Sequence, residues 1–491
     1  MNIDGLFTSA TPHIANFAQQ QVLLYRHDPR LQDYFEAIQI DGLDTPRARA
    51  SKDRRAHGFI QAALAGACRI SRFQRTSPIK ADVLLCPSPY FSRETETRFF
   101  MRTLLGIART GATIACLLPK AAPCLADLNA ILDAENRARQ VHFIDPLGGL
   151  GLLQRPLMRK AAQTRGRIAF EAATDILSPH GLEPGEDVLP HFERLAYFVE
   201  AWEQLLTHIE FDTAVTRCHW LPLCSAVSRS ANSQRRKVIT FQQGVIGHSL
   251  DAPVTASTYV AFGNSSSAFL SQMNRRFFDA VALPEPKVEF ISGGCLFDAV
   301  GALPDQFANK TLLMVDVPTA QSLFYGVRAQ TEALTRLGEE FLAFGDSTWR
   351  LIIRPHPFWN NLDMHDCLDL AKRFPGRCEI SHPAWPLDDD LRRSSATIGI
   401  FSGVLTVASA SGLPSYFLQT EGGFSTGDFA CFQDGQMFMP NDALQQIRSI
   451  FRDPNAYADA RATALRNGRE YYANGTNLQL DATFFSRTIS H

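Results

Sequence analysis

Residues able to do chemistry concentrate in two stretches of the second half of the chain. In Leu351-Ile352-Ile353-Arg354-Pro355-His356-Pro357 an apolar run stops at an arginine and at a histidine set between two prolines. Proline fixes its own φ and restricts the residue before it, so the imidazole is held at the end of a strand. A guanidinium and an imidazole there can bind a phosphate or stabilise one as it leaves, because developing negative charge needs donors already in place. The plainer alternative is Arg354 in a salt bridge and His356 bonded to a backbone carbonyl. In the second stretch, Ala396-Thr397-Ile398-Gly399-Ile400-Phe401 ends at Ser402-Gly403, where a helix of small residues begins. A helix N-terminus presents N–H groups and the positive end of a dipole, so Ser402, Gly403 and Thr406 suit a phosphate. Ser402 equally suits a plain N-cap, and both roles are compatible.

Two stretches of the first half would face those groups. Val238-Ile239-Thr240-Phe241-Gln242-Gln243-Gly244 is a strand entering a glycine-bearing loop, where Gln243 and the amide of Gly244 can bind ligand hydroxyls and His248 follows. Arg93-Glu94-Thr95-Glu96 comes after the first strong strand and offers a carboxylate as general base or nucleophile. Glu94 is preferred over Glu96, against the alternative that both complement a helix dipole. Asp388-Asp389-Asp390 precedes Leu391-Arg392-Arg393 in a helix-start context, so dipole complementation is preferred and no metal is expected.

These groups need a scaffold, and the hydrophobic pattern supplies one. Ten short apolar runs recur: 83–86, 112–118, 141–144, 238–241, 259–262, 288–291, 311–315, 351–353, 397–401 and 415–418. Runs without alternation suit strands buried on both faces, and helical segments between them make βαβ units on parallel sheets. The fold class expected is therefore α/β. Residues 298–310 break the pattern with glycine and proline, which places a cut between residues 1–300 and 301–491. Residues 147–210 read as a helical insertion. Ligands of such folds sit beyond the carboxyl ends of the strands, here in the cleft between the domains.

Composition narrows the classes. With 491 residues, 45% apolar and 20% charged, the chain has material for two cores and is not a disordered polymer. A net charge of −2 gives no field for holding nucleic acid. Ten cysteines form no CxxC pair, which points to a reducing compartment and no structural zinc. No signal peptide or membrane span is visible, so a cytoplasmic protein is expected. From Arg47 to Lys80 nine basic residues face one acid, Asp53, around the apolar Phe59–Leu64. Such a segment is compatible with the inner face of an anionic membrane, and equally with a solvated helix.

The order Gln242-Gln243-Gly244, Gly293-Gly294-Cys295-Leu296-Phe297-Asp298, Arg354-Pro355-His356-Pro357, Phe401-Ser402-Gly403 and Gly412-Leu413-Pro414 resembles bacterial surface-polysaccharide glycosyltransferases. The similarity spans about residues 82 to 420 and is to capsule and O-antigen transferases that use CMP-activated sialic acid or Kdo, and to CDP-glycerol transferases. The resemblance implies a GT-B fold, two Rossmann-like parallel-sheet domains facing a central cleft. It implies metal-independent transfer of a sugar from a nucleotide donor to a glycan or glycolipid, with no resident cofactor. By resemblance His356, Pro357 and Ser402 contact the CMP phosphate, with Arg354, Gly403 and Thr406 beside them. Glu94 is the carry-over for the catalytic acid, and Arg93, Gln243 and Gly244 fall to the sugar or acceptor. Many relatives carry Gln-His-Gly where this chain has Gln242-Gln243-Gly244, which removes a titratable group. Two other readings are a nucleotide-sugar epimerase of the same fold and a non-catalytic glycan-binding or assembly protein.

Overall fold

A computed structural model describes residues 12–35, 78–87, 94–118, 122, 124–146, 154–219, 222–244, 252–293, 302–315, 327–355, 365–382, 385–400, 402–419, 427–472 and 480–489. Fifteen strands lie among them. After β1 (Ile79–Lys80) come β2 (Val83–Cys86), β3 (Ile114–Leu117), β4 (Val141–Ile144) and β5 (Ile209–Glu210). Then follow β6 (Thr213–Thr216), β7 (Lys237–Phe241), β8 (Thr258–Ala261) and β9 (Glu289–Ser292). The remaining strands are β10 (Thr311–Val315), β11 (Arg350–Arg354), β12 (Cys378–Ile380), β13 (Ala396–Gly399), β14 (Ser415–Leu418) and β15 (Met437–Phe438). All ten apolar runs contribute a strand.

Seven strands form one parallel sheet in the order β4-β3-β2-β6-β7-β8-β9, and six form a second in the order β12-β11-β10-β13-β14-β15. Counted within each sheet, both begin 3-2-1-4-5-6, the doubly wound order in which the chain direction across the sheet reverses after the third strand. The reversal falls between β2 and β6 in the first sheet and between β10 and β13 in the second. The central strands β2, β3, β10 and β13 are fully buried because helices cover both faces, which is why their apolar runs are continuous. The short pair β1–β5 stands apart.

Helices that bear on the site are α1 (Pro12–His27), α2 (Glu94–Arg109), α3 (Gln154–Leu177), α4 (Leu189–Leu206), α5 (Pro222–Ser233), α6 (Asn264–Val281), α7 (Leu387–Arg393), α8 (Gly403–Ala410), α9 (Pro454–Tyr471) and α10 (Ala482–Ile489). Helices α3 and α4 pack on each other within the stretch read as an insertion. Gly166 permits this, since a Cβ there would sit 2.4 Å from the Cα of Glu193. With α1 they enclose a separate apolar core around Leu24, Phe192 and Ala196. The polypeptide changes sheet between Ser292 and Thr311. One departure from the 301–491 expectation is the last helix. Phe485 of α10 is buried in the core of the first sheet with Phe100, Leu104 and Phe241, so the chain ends back on the domain where it began. No described helix is long and apolar enough to cross a membrane. Nearly all of the basic 47–80 segment lies outside the described residues.

Candidate functional site

The switch point of a doubly wound sheet leaves a crevice at the carboxyl ends of the strands, because the helices on either side of the reversal lie on opposite faces. In the second sheet α8 starts four residues after β13, directly at that crevice. Gly399 ends β13 where a Cβ would meet Val315 Cγ2 at 2.8 Å and the Val315 carbonyl at 3.2 Å, so β10 and β13 close together only around a glycine. Ser402 then caps α8. Its backbone is extended, and its Oγ accepts from the Val404 N–H at 3.0 Å. Gly403 is half-buried, and a Cβ built on it would meet nothing within 4 Å among the described residues, so the first turn of α8 leaves room beside it there.

Thr406 does not face that space. It is fully buried, donates to the Gly403 carbonyl at 2.8 Å and shares a 2.7 Å hydrogen bond with the Tyr472 hydroxyl at the end of α9. Its burial and these two hydrogen bonds give Thr406 a packing role at the start of α8.

Arg354 is likewise engaged inside the protein. It ends β11 almost wholly buried, with Nη1 donating to Asp390 Oδ2 at 2.5 Å and to Ser381 Oγ at 3.4 Å, and Nη2 donating to the Trp385 carbonyl at 2.8 Å. Asp390 is buried too and accepts from Ser381 Oγ and from Arg393. The salt-bridge alternative therefore describes Arg354, which fastens α7 to the end of β11 instead of offering its fork to a phosphate. Asp390, the last of the three aspartates, is committed to that arginine, while Asp388 and Asp389 stay exposed at the start of α7. His356 and Pro357 lie outside the described residues.

Trp385 belongs to none of the motifs read from the sequence. It follows β12 on the carboxyl side of the sheet, keeps half its surface exposed (53%), and its carbonyl is gripped by Arg354. An exposed tryptophan on a fixed backbone offers a flat apolar face. The signal was present in Ser381-His382-Pro383-Ala384-Trp385-Pro386, a loop with an indole between prolines.

In the first sheet the candidate residues gather around β2, β6 and β7, three neighbouring strands. Glu94 opens α2, and Arg93 and the side chain of Glu94 lie outside the described residues. Glu96 is buried and gives both carboxylate oxygens to Arg217, the residue after β6, at 3.0 and 3.1 Å. Gln243 is partly buried and Gly244 exposed, with room for a Cβ on Gly244 as on Gly403. Their loop is pinned by Gln242, whose Nε2 donates to the Gly244 carbonyl and whose Oε1 accepts from the Phe262 N–H, both at 2.8 Å. His248 lies outside the described residues.

No protein-family model matches this chain, and no curated protein sequence matches it. Among solved structures, Anabaena HepE in complex with UDP and glucose is similar at a TM-score of 0.45 and 11% identity, over 84% of this chain and 99% of that one. A glycosyltransferase from Rickettsia africae is similar at a TM-score of 0.45 and 12% identity, over 85% and 99%. A candidate UDP-N-acetylglucosamine 2-epimerase from Listeria monocytogenes is similar at 0.45 and 10%, over 82% and 94%. Two tandem doubly wound domains, each with its reversal and its glycine-bearing loops at the carboxyl ends of the strands, give this chain a GT-B fold.

Proposed function

We propose that the protein is a glycosyltransferase that moves a sugar from a nucleotide donor, CMP-linked, onto a surface glycan or glycolipid without a metal. The observation that carries this reading is the junction of β13 with α8. A capped helix begins at the switch point of the second sheet, and among the described residues nothing lies within 4 Å of a Cβ on Gly403, a place where N–H groups can meet a phosphate. The Arg-Pro-His-Pro and Phe-Ser-Gly motifs favour cytidine monophosphate as the leaving group. Trp385 is suited to stack on the base, and Gln243 and Gly244 are suited to the sugar or acceptor.

In the reaction proposed, an acceptor hydroxyl attacks the anomeric carbon as the bond from that carbon to the phosphate oxygen breaks. Glu94 would take the hydroxyl proton, and His356 would donate to the departing phosphate. Placing the nucleotide on one domain and the acceptor on the other lets the cleft exclude water.

Calorimetric titration of CMP, CDP, UDP and GDP without metal tests the reading. Selective CMP binding, weakened at least tenfold by His356→Ala, is expected. Preference for UDP or GDP keeps the nucleotide-sugar reading and discards CMP. Absence of binding by all four overturns it in favour of a non-catalytic role. Conversion of the donor sugar with no acceptor present would instead mark an epimerase.

A further inference from the structure

A buried ion pair that the functional reading leaves unused lies at the switch point of the first sheet. Arg217 follows β6, and Glu96 sits in the first turn of α2, the helix after β2; β2 and β6 are the two strands between which the order reverses. Both side chains are nearly inaccessible, at 3% and 5% exposure. The guanidinium donates through Nε and Nη2 to the two carboxylate oxygens and lies 4.1 Å over the ring of Phe99. Its other edge turns to the loop after β7, where Nη1 donates to the Gln242 carbonyl and Nη2 reaches the Gln243 carbonyl at 3.5 Å. One side chain thus ties together α2, the end of β6 and the Gln-Gln-Gly loop.

Stability alone is a poor reason for this arrangement. Desolvating two charges offsets much of their attraction, and a well-packed apolar pair often stabilises as well or better. An apolar pair lacks direction, however. The planar fork of arginine holds a carboxylate and two carbonyls at fixed spacing, which neither an ammonium nor an apolar group can do.

We propose that Arg217 is a positioning residue of the acceptor half-site. It sets the loop carrying Gln243 and Gly244 against the start of α2, the helix that Glu94 opens, so that groups from two separate βα connections meet the same substrate in register. This rests on the glycosyltransferase reading, in which those residues meet the sugar or acceptor. Arg217 itself touches no reacting atom and acts through Glu96 and the two carbonyls. A misplacement of about 1 Å between reacting groups is enough to lower a rate about a hundredfold, which is the scale on which such a device works.

The test compares Arg217→Lys, Arg217→Met and Glu96→Gln with wild type. Melting midpoint and affinity for CMP, CDP, UDP and GDP report on folding and on the other domain. Nucleotide release from CMP-N-acetylneuraminate and from UDP-glucose, with bacterial envelope glycolipid as acceptor, reports on turnover. Amide hydrogen exchange reports on 94–98 and 242–244. For Arg217→Lys, nucleotide affinity within twofold of wild type is expected, with kcat at least tenfold lower and donor KM within threefold. Exchange should rise in both segments together. Arg217→Met is free to fail in folding without affecting the outcome, because Arg217→Lys keeps the charge. A kcat for folded Arg217→Lys equal to wild type overturns the proposal, and so does exchange that rises in only one segment. If wild type binds none of the nucleotides, the glycosyltransferase reading falls, while the exchange measurement still decides whether Arg217 couples the two segments.

Discussion

The hydroxyls of Thr406 and Tyr472 lie 2.7 Å apart, joining the helix that starts at the switch point of the second sheet to the end of α9. The ring of Tyr472 in turn packs 5.6 Å from that of Phe262, whose N–H donates to Gln242, the residue that pins the Gln-Gln-Gly loop. A continuous run of contacts therefore leads from the helix beside the candidate phosphate site to the loop of the other domain. Phe262 follows a strand of the first sheet yet belongs to the apolar core of the second, so it is one of the residues at which the two domains touch.

Tyr472→Phe removes one partner of a buried pair and leaves Thr406 with the Gly403 carbonyl. Thr406→Val removes the hydroxyl that bonds both the Gly403 carbonyl and Tyr472 and is the more costly change. We expect a loss of about 1 kcal/mol for the first, where one buried hydrogen bond goes, and about 2 kcal/mol for the second, where two go. Urea denaturation of the two single variants and the double variant gives the coupling energy, expected near 1 kcal/mol. A coupling near zero would mean that the hydroxyls do not bond in solution.

Asp390→Asn separates the structural role of Arg354 from a ligand role. The substitution leaves a buried guanidinium without its counter-charge, for which about 3–5 kcal/mol of destabilisation is expected. A phosphate-binding Arg354 would instead lose nucleotide affinity while stability held. Thermal melting and nucleotide titration on the same preparation distinguish the two results.

Much of this framework is legible in the sequence, and what escaped it has physical causes. All ten apolar runs contain strands, and most of these are buried along their length, where a strand covered on both faces needs apolar residues throughout. The central strand β6, Thr213-Ala214-Val215-Thr216, fails that test and was not anticipated. Thr216 is nevertheless fully buried, because its hydroxyl bonds that of Thr240 on β7 at 2.7 Å; a polar pair satisfied across the sheet looks polar in the sequence and is apolar in effect. Missing β6 also concealed Arg217, which follows it. Arg354 and Thr406 stood where their motifs placed them, but their partners Asp390 and Tyr472 lie 36 and 66 residues further along, beyond the reach of local pattern. The choice of Glu94 over Glu96 is compatible with the structure in one respect, that Glu96 is committed to Arg217.

Alkali should weaken the second domain. Burial pushes the thiols of Cys367 and Cys378 from 9.0 up to about 12, and the Tyr457 hydroxyl from 10.0 to about 12. The folded protein keeps these protons where the unfolded chain releases them, so stability is present in full below pH 9 and falls as pH rises toward 12. Each thiol contributes a slope of at most about 1.4 kcal/mol per pH unit in that window. Urea midpoints between pH 8 and 11 measure the slope, and Cys367→Ala should lower stability at pH 8 while flattening the decline. A midpoint that stays constant up to pH 11 would show that these thiols ionise freely in the folded protein.

Gly106→Ala tests the return of the chain to its first domain. Gly106 lies in α2, and a Cβ there would sit 2.4 Å from the Leu480 carbonyl and 2.9 Å from the ring of Phe485. Contacts under 3.0 Å with backbone are not relieved by rotating a side chain, so α10 must move away from α2. The cost should match that of overpacking, about 1–3 kcal/mol, and fall mostly on the docking of the last helix. Limited proteolysis should then cut ahead of residue 482 at least tenfold faster in the variant, while the two sheets keep their melting transition within a few degrees. Because α2 also carries Glu96 and its bond to Arg217, loosening α10 has a second expected effect. Amide exchange in the first turn of α2 should stay at the wild-type rate if the Arg217 fork alone fixes that turn, and should rise along with the exchange of α10 if the two ends of α2 are held jointly.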